Sequence, residues 1–156
     1  MACALRLLAM RSHSSEELAR KLLRKGYGKE STERVIEKLA GEGILDDREF
    51  GKEFIGSRSK RKPAGKLKLS AELRRKGVPE PLIGELLREI DSSELCLLAA
   101  EKKFALLRGP SEAARKKKLE TFLQNRGFSW QEILEALERF FPGVKDRQEP
   151  LNPYPP

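Results

Sequence analysis

Residues able to do acid–base, nucleophilic or metal chemistry are scarce in this chain of 156 residues. It has a single histidine, His13, and two cysteines, Cys3 and Cys96, set far apart. No zinc site, disulfide framework or Cys/His nucleophile can be assembled from them. A P-loop, a GxGxxG turn, an HExxH helix and a GxSxG elbow are all absent. Asp46 and Asp47 are neighbours whose side chains diverge, so capping a helix suits them better than sharing a metal. His13 lies among serines, where a solvated ring is expected, and Cys96 reads as a small core residue. The sequence therefore reads as a non-enzyme that needs no cofactor.

What remains is ionic chemistry. The net charge is +8, and it is unevenly placed. Residues 57–78 carry Arg58, Lys60, Arg61, Lys62, Lys66, Lys68, Arg74, Arg75 and Lys76 against one acid, Glu72. Residues 102–118 carry seven basic groups, among them Arg115, Lys116, Lys117 and Lys118, against Glu112 alone. The first cluster exceeds what solvation of a helix requires and predicts an anionic partner. Basic pairs at helix ends, such as Arg24–Lys25 and Arg75–Lys76, also complement the helix dipole. Trp130 and the phenylalanines are expected in the core before they are expected to stack on bases.

The elements that must position these charges form a repeat. LARKLLRKGY, LSAELRRKGV and LETFLQNRGF share one frame, with a Leu eight and four residues before a Gly and an apolar residue after it. The positions are Leu18, Leu22 and Gly26; Leu69, Leu73 and Gly77; and Leu119, Leu123 and Gly127. The residues ten and thirteen past each glycine are apolar as well: Ile36 and Leu39, Leu87 and Ile90, Leu137 and Phe140. Leucines at i and i+4 share one helical face, and a Gly just past them supplies the left-handed residue that ends the helix. The apolar residue after each Gly, Tyr27 in the first copy, is expected to close that cap.

A second amphipathic helix follows each glycine, with Ser129 as an N-cap and Pro81 in a first turn. A third helix precedes each pair, over residues 2–11, 47–61 and 94–108. The chain thus divides into three-helix units at 1–45, 46–90 and 91–141, followed by a Pro-rich, irregular tail at 142–156. Units this small are expected to share interfaces with their neighbours in an elongated, curved array. The helix after each glycine is acidic in the second and third units, through Glu80, Glu85, Glu89 and Asp91, then Glu132, Glu135 and Glu138. A helix-turn-helix reading would drive those acids into a major groove, so sequence-specific DNA reading fits poorly. Contact with a phosphate backbone fits better.

Composition supports an all-α protein: 24 Leu and 13 Ala stand against 3 Val, 6 Ile and 2 Thr. No apolar run approaches a membrane span, and Arg6 interrupts the first one. With two separate thiols the chain reads as cytoplasmic, without a membrane partner, and monomeric.

Three stretches carry a resemblance. GILDDREF supplies Gly43, Leu45, Asp46, Asp47 and Phe50; Ser57–Arg58 follows; and ELRRKGV supplies Glu72, Leu73, Arg74, Lys76, Gly77 and Val78. The third unit adds Arg126 to Ser129. In these elements the chain resembles the bacterial RecX regulatory proteins, over about residues 5–141. The resemblance implies three tandem three-helix repeats, which the spacing predicts independently. It also implies binding to the RecA recombinase and its filament on single-stranded DNA. Filament growth, strand exchange, ATP hydrolysis and the coprotease activity behind the SOS response would be inhibited. The alternative that the residues leave open is a stand-alone, sequence-tolerant DNA-binding helical module.

Overall fold

In a computed structural model the described residues are 1–144, and all their regular structure is helical. The order is α1 (Ala2–Met10), α2 (Ser15–Arg24), α3 (Lys29–Gly41), α4 (Asp47–Arg61), α5 (Lys66–Arg75), α6 (Glu80–Arg88), α7 (Ser92–Phe104), α8 (Glu112–Asn125) and α9 (Trp130–Phe140). Helices pack mainly within successive threes, giving a tandem array of three-helix units. The proposed tail lies outside the described residues from position 145 onward.

Local chemistry sets the helix ends. Asp46, Asp91, Ser111 and Ser129 accept backbone N–H bonds as N-caps of α4, α7, α8 and α9, and Ser129 forms a reciprocal capping box with Glu132. Pro81 lies in the first turn of α6. Gly26, Gly77 and Gly127 have φ of +93°, +84° and +79°, the left-handed conformation the repeat requires. Each closes a Schellman turn, in which Tyr27 N–H donates to Leu22 O, Val78 N–H to Leu73 O and Phe128 N–H to Leu123 O.

The six frame leucines are buried, none more than 4% exposed. Burying such a side chain fully contributes roughly 1.5–3 kcal/mol, so this stripe dominates the local energetics. Val78 and Phe128 close their caps in the core, but Tyr27 is 48% exposed and does not. A small core of Ala4, Leu18, Leu22, Leu39 and Leu45 holds the first unit. A single continuous core runs through the second and third. Cys96 is buried in it, and that burial pushes its thiol pKa up to about 12, so the sulfur packs rather than reacts.

The units are joined by a repeated contact. Ser14, the N-cap of α2, donates its hydroxyl to the carbonyl of Lys76, the C-cap of α5. Gly65, the N-cap of α5, donates its N–H to the carbonyl of Arg126, the C-cap of α8, at 2.8 Å. Both donors stand twelve residues before their own glycine. Each joint therefore satisfies an orphan C-terminal carbonyl with the N-cap of the next second helix and aligns the two dipoles. The second helices meet end to end in the order α8, α5, α2.

His13 is a correction. It is 3% exposed rather than solvated, because the Ser12–Ser14 segment is the first joint. Its Nδ1 lies 2.8 Å from the Arg11 carbonyl and its Nε2 2.8 Å from Lys21 Nζ, so the ring is held neutral with the proton on Nδ1. Ala64, the matching residue of the second joint, is buried too.

Candidate nucleic-acid interface

The first joint leaves a cleft of about 950 Å³ between the first and second units. Its α2 wall carries Arg20, Lys21, Leu23 and Arg24. Phe54 and Arg58 of α4, and Glu72, Arg75 and Lys76 on and just after α5, form the opposite wall. The helical period places residues 17, 20, 21 and 24 on one face, so α2 presents its basic residues as a strip.

Both carboxylates of the cleft are already engaged. Glu17 binds Arg11 at 2.6 Å and approaches Lys76 at 3.9 Å. Burial alone would raise its pKa, but Arg11 and Lys76 hold it below the ordinary carboxylate range. Glu72 receives Arg58 through Nε at 3.0 Å and Nη2 at 3.3 Å. Those two side chains are 15% and 14% exposed, so the pair is nearly enclosed. With the acids neutralised, Arg20, Lys21, Arg24 and Arg75 leave a net positive channel suited to a polyanion.

The sequence-predicted residues separate into groups. Arg75 and Lys76 line the cleft. Arg58 reaches it but serves as a strut, bonded to Glu72 and to the carbonyl of Lys62. Arg74 is tied to Glu80 on the outside of the turn. Lys60, Arg61, Lys62 and Lys66 are exposed around the α4–α5 connection and line no wall of the cleft. Lys68 is packed against Gly127 at the second joint. Arg115 faces Phe141, with Cζ 5.9 Å from the ring centroid, and Lys116 donates to the Val144 carbonyl. Lys117 and Lys118 face a separate cleft in the third unit.

Arg20 and Lys21 are missed by a reading of charge density along the chain, because Glu16 and Glu17 balance them locally. The available signal was the repeat frame. Arg24 and Arg75 both stand two residues before their glycine, and both line the cleft.

Among known proteins, the models of the first, second and third three-helix domains of RecX match residues 1–39, 46–87 and 89–137. Regulatory protein RecX of Pelodictyon phaeoclathratiforme is 61% identical over 147 residues, spanning 94% of this chain and 92% of that protein. Regulatory protein RecX of Chlorobium limicola is 54% identical over 140 residues, spanning 90% and 88%. The crystal structure of RecX from Lactobacillus salivarius superposes with a TM-score of 0.75 at 19% identity, covering 89% of this chain and 92% of that one. A second crystal structure of regulatory protein RecX gives a TM-score of 0.78 at 23% identity, covering 88% and 70%.

Proposed function

The chain belongs to the RecX family of regulatory proteins, and from that premise we propose that it binds the RecA recombinase and its filament on single-stranded DNA. Bound there, it inhibits filament growth, strand exchange, ATP hydrolysis and coprotease activity, and so restrains recombinational repair and the SOS response. It does so as a cytoplasmic monomer without catalysis, its working units being residues 1–45, 46–90 and 91–141.

The observation that carries this reading is the cleft between the first and second units. Arg20, Lys21, Arg24, Arg75 and Lys76 converge there from two units, and both local carboxylates are spoken for. A phosphate backbone is the ligand such a channel suits, and no base reading is built into it. The exposed acids Glu135 and Glu138 lie on another helix, α9, where they can meet basic protein surface, whereas Glu80 and Glu85 of α6 already pair with Arg74 and Arg48. An array whose second helices meet end to end can touch several filament subunits at once. That gives avidity and obstructs the next subunit or a second DNA.

The test is charge reversal. Arg20→Glu with Arg24→Glu is expected to raise the concentration needed for half-inhibition of recombinase ATP hydrolysis at least tenfold. Lys29→Glu with Lys38→Glu, on exposed positions of α3, is expected to change it less than twofold. Equal loss from both pairs would mean that only net charge matters, and equal potency would remove the cleft from the mechanism.

A further inference from the structure

We propose that the third unit carries a second site, which stacks a base of single-stranded nucleic acid on Phe122 and meets the neighbouring phosphates with Lys103, Arg108 and Lys118. The inference deepens the nucleic-acid side of the function proposed above and rests on it.

The site is a cleft of about 770 Å³ where α7, α8 and the connection between them meet. Leu106, Leu107 and Phe122 give it apolar walls; Lys103, Arg108, Lys117 and Lys118 give it charge, and no carboxylate is among its lining residues. Lys117 is partly occupied by Glu120, at 2.8 Å. Lys118 donates to the Arg108 carbonyl at 2.6 Å, which leaves two of its three protons for a ligand. Leu106 is 73% exposed beside this cleft, an apolar surface that a flat base would cover.

The third unit differs from the other two at this place in the repeat. Five residues before the glycine stand Lys21, Glu72 and Phe122, and nineteen before it stand Arg58 in the second unit and Arg108 in the third. In the second unit Glu72 neutralises Arg58. In the third, phenylalanine replaces the acid, and among the described residues Arg108 pairs with no carboxylate; its guanidinium bonds only the Leu107 carbonyl. One substitution thus removes an internal ion pair, exposes a cation and installs an aromatic face beside it.

Phe122 is half-buried, anchored against the core but open to the cleft. Lys103 Nζ lies 5.3 Å and Arg126 Cζ 4.8 Å from its ring centroid. A ring with cations over it binds through its π-face. Lys103 ends in a flexible chain, so a base can take its place while the ammonium moves to a phosphate. Duplex bases are already stacked on each other, so this chemistry selects a single strand. The cleft uses residues 118, 121, 122 and 125 of α8, the same frame positions as 17, 20, 21 and 24 of α2 in the first cleft. α5 lies between α8 and α2, and its C-terminal half already lines the first cleft, so one strand can pass along both.

The test is fluorescence anisotropy of labelled oligothymidylate with the full chain at several salt concentrations. Phe122→Leu, which keeps an apolar side chain in the core, is expected to weaken binding roughly 5- to 150-fold, the range for losing one stacked base, with an unchanged salt slope. Phe122→Trp is expected to retain binding. Arg108→Ala is expected to flatten the salt slope by about one. If Phe122→Leu and Arg108→Ala both bind as the parent does while Arg20→Glu with Arg24→Glu does not, the second site is refuted and the first stands. If Phe122→Trp loses as much as Phe122→Leu, the ring only packs, and the stacking role fails. If the parent chain binds no oligothymidylate, the nucleic-acid side of the proposed function fails with it.

Discussion

Arg58 belongs to the motif that marks the family resemblance, and its side chain is nearly enclosed against Glu72. Removing one partner of such a pair strands the other charge, so Arg58→Ala is expected to cost about 3 kcal/mol in urea unfolding. Arg58→Met with Glu72→Leu fills the same space without charge and is expected to stay within about 1 kcal/mol of the parent. A single substitution no worse than the double one would mean that the pair is solvated. His13 makes the joint sensitive to pH. Burial lowers its pKa, and Arg11 and Lys21 add to the shift against the bond to the Arg11 carbonyl; Glu17 opposes it. As pH falls below about 6.5 the unfolded chain takes the proton first, so stability declines from there through the folded pKa. Between pH 7.5 and 5.5 the parent is expected to lose more stability than His13→Asn; parallel losses would place the sensitivity elsewhere. A reading of the sequence could not find this, since Ser-His-Ser looks like solvated loop until the distant partners of its serines, Glu53 and Lys76, are known.

The repeating element was legible in the sequence because its demands are local. A leucine stripe needs only the helical period, and the turn needs only a residue with positive φ, so both stand out from spacing. The joints were not legible, since they depend on which backbone groups meet between units. The three glycines separate the two effects. At Gly26 a Cβ would meet nothing within 4 Å, so Gly26→Ala is expected to cost about 1 kcal/mol from the left-handed backbone alone. At Gly77 a Cβ would lie 2.5 Å from Glu16 Cβ, and at Gly127 2.6 Å from the Lys68 nitrogen. Gly77→Ala and Gly127→Ala must therefore also part the joints and are expected to cost at least twice as much. Equal losses at all three positions in thermal or urea unfolding would mean that the joints contribute little.

Across the whole molecule the array sorts its charge by element. Second helices and the connections before them are net positive, while α6 and α9 are net negative. The basic stretches were visible as density along the chain, yet the residues that line the first cleft were only half visible. Arg75 and Lys76 come from the dense stretch, whereas Arg20 and Lys21 are balanced locally by Glu16 and Glu17 and become one surface only when α2 docks on α5. The measurement that tests the account most directly is ATP hydrolysis by the host recombinase on single-stranded DNA while this protein is titrated in. Inhibition is expected at amounts well below one per recombinase subunit, shifted at least tenfold by Arg20→Glu with Arg24→Glu. Inhibition that begins only when the DNA itself is saturated would contradict it and leave a DNA-binding module without a recombinase target.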